Sequence, residues 1–321
     1  MNKTKLVILI LFSCLILVLV TGCSNNEINN MMVIDSIGIS KENNSYDICF
    51  NTYIGNDEYE SISTNVKTLD FLFENIYMKV SKKIYLSHLN ILYLSSNLSN
   101  DEIKNIVNNL NNRNDLRGSF LVIMVSDYDK NILNKNSLDV LELINNNHNE
   151  IGNTSPTSFN EIISSYLDLN LAYIPIIDKN YNLIGSHSLF DEYRFYNIQE
   201  SKYLNLLHDN INNMNINIDN QEIKLKDINV IYKVNDNKIQ IKIYFKYISN
   251  LDKEIIEKYL YDDINMFIKL DVSNNFYRDL IKKYDYDFYN NNKFKVLFDV
   301  ELILEKDNIS NSKEDNLIEK N

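Results

Sequence analysis

Glycine and proline are scarce in this 321-residue chain, with six and two residues, and tryptophan is missing altogether. No Pro- or Gly-rich linker can mark a domain boundary, and the turn positions fall to asparagine, whose short side chain tolerates left-handed backbone angles. Histidine is also sparse. His88, His148, His187 and His208 have no His or Cys at ligand spacing, so neither H-E-x-x-H nor C-x-x-C occurs and no metal site is expected. Asp127, Asp129 and Asn131 open like a calcium loop, but Ile132 stands where the sharp-turn Gly belongs and Leu138 where the closing Glu belongs. There is no G-x-S-x-G, G-x-x-x-x-G-K-[ST] or G-x-G-x-x-G, and six glycines could hardly build a phosphate cradle elsewhere. The Asp285-Tyr286-Asp287 run reads as a solvated helix end. No catalytic residue is nominated, no cofactor is expected, and the chain is read as not an enzyme; any ligand-binding residues stay unknown at this level.

Positive charge is thin as well. The formal net charge is −12, and no basic run exceeds Lys82-Lys83 or Lys282-Lys283. Polyanions need clustered Lys and Arg to release counterions, so nucleic acid is excluded as an expected partner. The same sign argues against adsorption of the whole chain to anionic lipid, so membrane attachment has to be hydrophobic or covalent.

What the chain does have is an apolar N-terminus. Lys3 and Lys5 precede an almost continuous apolar run from Leu6 to Val20, which ends in Val20-Thr21-Gly22-Cys23. The run is shorter than the ~20 residues of a spanning helix and closes on small residues, the shape of a signal peptide. The tetrapeptide resembles a bacterial lipobox. Residues 1–22 are therefore expected to be a lipoprotein-type signal, cut between Gly22 and Cys23, with diacylglycerol on the Cys23 thiol; an uncleaved N-terminal anchor is the alternative. Two or three acyl chains hold durably at ~0.8 kcal/mol per buried CH₂, where one is reversible. Removing residues 1–22 takes away Lys3 and Lys5 and no acid, leaving 30 basic against 44 acidic residues. It also removes Cys14, and with Cys23 acylated only Cys49 remains, so no intrachain disulfide can form. Cys49 lies in the alternating stretch Tyr46, Ile48, Phe50, the place of a small half-buried side chain.

The full 321-residue chain is 45% hydrophobic, enough to fill real cores. Residues 23–31 read as a polar tether. Met32–Ile39 and Tyr46–Thr52 read as an antiparallel pair turning at Lys41–Ser45. Val66, Leu69, Leu72, Phe73, Ile76 and Val80 fall on one helical face. His88–Leu94 and Phe120–Val125 read as parallel strands crossed by a helix that opens at the capping box Ser99–Glu102. Lys130–Pro156, rich in Asn with one short helix at Leu138–Ile144, reads as a flexible insertion. Ser158–Glu161 is a second capping box, followed by strands at Ala172–Ile177 and Leu183–Phe190 and a helix over Gln199–Ile211. Strands near Ile228–Tyr232 and Ile239–Phe245, a helical region from Leu251 to about Tyr284 and an alternating strand from Phe294 to Leu304 complete an α+β pattern. Residues 307–321 lack an apolar face and are expected to be disordered. The expected fold is α+β, mixed sheets with packed helices in a multi-domain extracytoplasmic lipoprotein, with units at 32–185 and 186–306.

The order of these segments resembles the Ger(x)C family, the lipoprotein C subunits of spore germinant receptors. The points of likeness are Cys23 and Glu27, then Ile37-Gly38-Ile39-Ser40 at a strand end, then Lys82 to Leu92 as an amphipathic helix running into a Gly-His-Leu-like strand start. Arg113-Asn114-Asp115-Leu116-Arg117 before the Phe120 strand, Ala172-Tyr173-Ile174-Pro175, and Gly185–Phe190 leading to Gln199-Glu200-Ser201 extend it over about residues 17–305. Ser24 and Asn25 depart from the aromatic and acidic residues usual after the Cys, and Ser40 replaces an Asp. The resemblance implies a non-catalytic subunit that works beside A and B subunits, held by lipid (palmitate among the acyl chains) on the outer face of the cytoplasmic, spore inner membrane. A solute-binding lipoprotein feeding a transporter is the competing expectation, because the same signal would serve it.

Overall fold

The computed structural model describes residues 31–55, 58–69, 72–167, 172–190, 195–208, 210–235, 238–271 and 297–307. The signal, most of the tether and nearly all of the C-terminal tail lie outside these residues, as does the expected helical stretch beyond 271.

Two sheets are present among the described residues. The first is built on β1 (Met31–Glu42), which pairs antiparallel with β2 (Ser45–Gly55); β2 in turn pairs with β3 (Glu58–Val66). Asn43 and Asn44 make the β1–β2 turn with φ of 46° and 63°, the left-handed geometry that a two-residue hairpin requires. On its other side β1 pairs parallel with β4 (Lys83–Tyr85) and β5 (Ile91–Ser95). The sheet continues through β6 (Leu121–Val125), β7 (Ala172–Ile177), β8 (Leu183–Leu189) and β9 (Phe195–Asn197). The parallel β5–β6 pair is crossed by α2 (Asn100–Asn111), whose capping box closes through Ser99 and Glu102 as expected.

The helix expected from Val66 is a single short turn, α1 (Leu72–Tyr77), because Val66 is the last residue of β3 and pairs with Tyr46. The stretch 130–156 is no loose insertion. Its Asn-rich surface hides Ile132, Leu133, Val140 and Ile144, all at 2% exposure or less, and these cover the face of the sheet that carries Cys49, Tyr93 and Ile123. Its helix is α3 (Ser137–Asn146), which ends through a π turn in Gly152 at φ 75°. The opposite face is covered by α2 and α4 (Phe159–Leu167), with Phe120 and Phe159 stacked at 4.7 Å. A sheet covered on both faces explains why β5, β6 and β7 are apolar without alternation.

The second sheet runs β10 (Met214–Ile218), β11 (Gln221–Asn235), β12 (Lys238–Ile248), β13 (Leu297–Lys306). β12 and β13 are parallel, and α6 (Lys253–Asp271) lies between them in sequence and packs on this sheet through Ile256, Leu260, Ile264 and Phe267. In β13 Val300, Leu302 and Leu304 are buried, the alternation read from the sequence. Between the sheets sits α5 (Ile198–Leu207), which shares one core with Tyr173 and Tyr196 of the first sheet and Ile223 and Leu225 of the second. The boundary expected at 185/186 falls within β8, and the passage from one sheet to the other comes at α5.

Gly185 has φ 152°, and a Cβ there would lie 1.9 Å from the Tyr196 carbonyl oxygen, a backbone atom that β-pairing holds in place. Gly185→Ala is expected to cost more than about 1 kcal/mol, read as a lowered urea midpoint. Gly38→Ala should cost less, because its Cβ meets only the hydroxyl end of the Tyr128 side chain.

Candidate functional site

The residues that could have carried chemistry are placed as structure. Cys49 is 1% exposed, and burial first, with Asp47 adding to it, pushes its thiol up to about 11. A thiol so placed is a poor nucleophile. His148 Nδ1 lies 2.8 Å from the Thr154 carbonyl, His208 packs its ring 5.1 Å from Tyr173, and His88 stacks near Tyr85 at 5.6 Å. His187 is 4% exposed in β8, with Nδ1 2.7 Å from the Ser188 carbonyl, and burial lowers its pKa to about 4. Asp129 uses its carboxylate to accept from Asn131 N–H at the start of a 3₁₀ turn, the ordinary duty of a cap. Among the described residues no group of three or more His, Cys, Asp or Glu could hold a metal ion.

Three polar clusters tie loops to the first sheet. At a bulge in β1, Asp35 Oδ1 accepts from Ser137 Oγ at 2.7 Å and Asn90 Nδ2 at 2.9 Å, which fixes the start of α3 to the entry of β5. Lys41 pairs with Glu102, whose carboxylate also accepts from Ser99 N–H at 2.8 Å; burial opposes ionisation there, but these donors outweigh it and hold Glu102 below the usual range. Arg113 forms a two-pronged pair with Asp115, at 2.8 and 2.7 Å, and lays its guanidinium 3.8 Å over the Phe73 ring. Bidentate pairing and stacking are what arginine does better than lysine. The Arg113–Arg117 segment singled out in the sequence is thus a clamp between α1 and the β6 approach.

One surface stands apart. Where β1 begins, β2 ends and β4 begins, a groove of about 620 Å³ opens to solvent, lined by Met31, Tyr53, Ile54, Val80, Lys79 and Lys82 among others, with Glu60 its acidic member. Register brings these together: Ile34 faces Thr52 across the β1–β2 pair, and Met31 faces Lys83 across β1–β4. Tyr53 is 46% exposed, Ile54 54% and Met78 77%. This meeting is not legible in the sequence, since its parts come from three separate segments. Cys23 and Gly22, the sites nominated from the sequence, lie outside the described residues.

Residues 24–179 match the model of the spore germination protein N-terminal domain family. The fold resembles the crystal structure of the GerBC protein, with a TM-score of 0.53 and 14% identity over 85% of this chain and 97% of that one.

Residues 24–179 form a spore germination protein N-terminal domain.

The GerBC likeness, at its low identity, establishes the fold, including the arrangement of two sheets and intervening helices. No curated protein sequence gives a significant match. The family match spans β1 to β7, which includes the groove, the Asp35 brace and the Arg113 clamp. Among the described residues no helix is long and apolar enough to cross a membrane.

His187 gives a test of how its burial is maintained. The unfolded imidazole titrates near 6.5 and the folded one near 4, so the unfolded state binds the extra proton between those values. Stability is therefore full above pH 6.5 and declines as pH falls toward 4, by about 3 kcal/mol from this group. His187→Gln should flatten that part of a urea-midpoint profile against pH.

Proposed function

We propose that the chain is the lipid-anchored, non-catalytic C subunit of a spore germinant receptor. It is cut between Gly22 and Cys23, carries diacylglycerol on Cys23, and assembles with A and B subunits at the outer face of the cytoplasmic (spore inner) membrane. The observation that carries this reading is the position of the family match, which begins at residue 24, directly after the lipobox-like Val20 to Cys23. The recognised domain thus starts where the mature chain would start. The parts built on the first and on the second sheet, which meet at α5, are both read as germination-protein-like, with the GerBC likeness over 85% of the chain in support.

The absence of catalysis in this reading is supported by what the candidate groups do: Cys49 is sealed in the core, and His148 and His187 face backbone carbonyls. The mechanism is assembly. A lipid confines the folded units to the membrane surface and raises their effective concentration toward membrane partners, so weak contacts suffice.

Expressed with A and B subunits, wild-type protein is expected to carry an acylated N-terminal Cys23 by mass spectrometry and to sediment with membranes in complex. Cys23→Ala should leave an unacylated N-terminus and lose the complex from the membrane fraction. An intact, unprocessed N-terminus with unchanged co-purification would sink the lipoprotein reading.

A further inference from the structure

We propose that the groove at the Met31 end of the first sheet is a membrane-contact face that docks on anionic phospholipid, setting the orientation of the protein on the bilayer. The proposal rests on the lipid-anchor reading for proximity and on the surface itself for its chemistry.

Position comes first. Cys23 and Met31 are eight residues apart, and a chain of that length reaches at most about 29 Å even when fully extended. With acyl chains on Cys23, the start of β1 stays within that distance of the bilayer surface. The end of the sheet that β1 enters is the groove end, since Tyr53 and Ile54 follow Thr52, the partner of Ile34, and Lys83 is the partner of Met31. The Asn43-Asn44 turn is at the other end of β1, 12 residues along, or about 40 Å at ~3.3 Å per residue. Of the two ends of this hairpin, the groove end is the one the anchor brings to the membrane.

Charge and polarity are the second line. The mature chain is strongly acidic, yet Tyr77-Met78-Lys79-Val80-Ser81-Lys82-Lys83 holds three lysines and no acid. All three lysines are exposed, and Met78, Ile54, Tyr53 and Tyr77 present apolar or amphipathic side chains at 77%, 54%, 46% and 44% exposure beside them. Tyrosine and apolar side chains ringed by lysine suit the headgroup boundary, where apolar atoms enter and ammonium groups meet phosphate. Lys79 Nζ donates to the Ser63 carbonyl at 2.8 Å and Lys83 lies in the field of Asp115, so Lys82 is the cation best placed to reach outward; Glu60 in the groove wall and Glu58, paired with Gly55 in the same hairpin, offset part of the local positive charge. The lysines are too few to adsorb the protein alone, in keeping with its overall sign, but an anchored chain needs only to choose which side faces down.

The test uses the mature protein reconstituted in vesicles of phosphatidylglycerol and phosphatidylcholine, with a fluorophore on Ile54→Cys, Met78→Cys or, as control, Asn44→Cys. Buried Cys49 stays out of reach of the label. Quenching by a headgroup-level spin-labelled lipid should be severalfold stronger at 54 and 78 than at 44. Adding Lys82→Glu and Lys83→Glu to the Met78→Cys protein should shrink that difference. Equal quenching at the two ends, stronger quenching at 44, or indifference to the lysine reversals would overturn the docking face. The mass of the N-terminal peptide from the same sample reports separately on the anchor: acylated Cys23 without the quenching pattern defeats only the face, and the pattern without acylation defeats only the anchor.

Discussion

The joint between the two sheets depends on a helix, α5, whose last two turns have almost no outside. From Ser201 to Leu207, Lys202 is the one residue of α5 that is not buried. Such a helix must have neighbours on nearly every side, and it finds them in β8 and β9 of the first sheet, in α6, and in β11 of the second. Its two buried polar residues make the fit specific. Ser201 Oγ donates to the Tyr196 carbonyl at 3.2 Å, while Asn205 Nδ2 donates to the Gly152 carbonyl at 3.0 Å and its Oδ1 accepts from Ser155 Oγ. A buried amide left unsatisfied costs about 1–3 kcal/mol, so rotation or sliding of α5 that breaks these bonds is disfavoured well beyond the apolar contacts. Tyr232 of β11 donates its hydroxyl to the Leu207 carbonyl at the helix end, which fixes the second sheet to the same element. The two sheets consequently meet in one apolar cluster around α5, while the first sheet keeps separate clusters on its two faces.

Much of the first sheet was legible because local chemistry and tertiary packing agree there. Ser99–Glu102 and Ser158–Glu161 start helices where their side chains satisfy the first free N–H groups, and His88–Leu94 and Phe120–Val125 flank a crossover helix as their spacing indicates. The misses have physical causes. β3 is polar (EYESISTNV) and edge-placed, so its alternation is faint, and the apolar residues after it mimic a longer helix than the chain forms. Residues 130–156 hide a handful of buried apolar groups among asparagines, and a composition average sees only the asparagines. The helix expected over Gln199–Ile211 is present as α5 but stops at Leu207, and Asn197 and Glu200 form a capping box that its sequence carries openly. The nominated lipidation site could be read from one tetrapeptide. The groove could not, because it exists only through the registers of β1 with β2 and β4.

Tyrosine gives this interior its character. Tyr93, Tyr128 and Tyr203 are held protonated far above their ordinary range, in each case chiefly by burial. Tyr203 still gives its proton to a bond, donating to Asp263 Oδ2 at 2.5 Å and so linking α5 to α6. With no tryptophan in the chain, these rings supply the large planar surfaces of the core while keeping a polar tip available for a carbonyl or carboxylate.

The strand pairings also dictate an order of assembly. In the first sheet every pair joins neighbours in the chain except those of β1 with β4 and β5, so the sheet can grow one strand at a time as polypeptide emerges. The second sheet also joins neighbours, but its last pairing waits longer: β13 lies beside β12 and follows it only after α6 and the stretch beyond, so among the described strands this pairing has the widest separation in sequence. Contacts that far apart carry the greatest entropic delay. Until Leu297–Lys306 arrives, β12 is left with an open edge and α6 with part of its bed missing. A ribosome or translocon that stalled before that strand would release a chain with a finished N-terminal half and a C-terminal half prone to pair with the wrong partner.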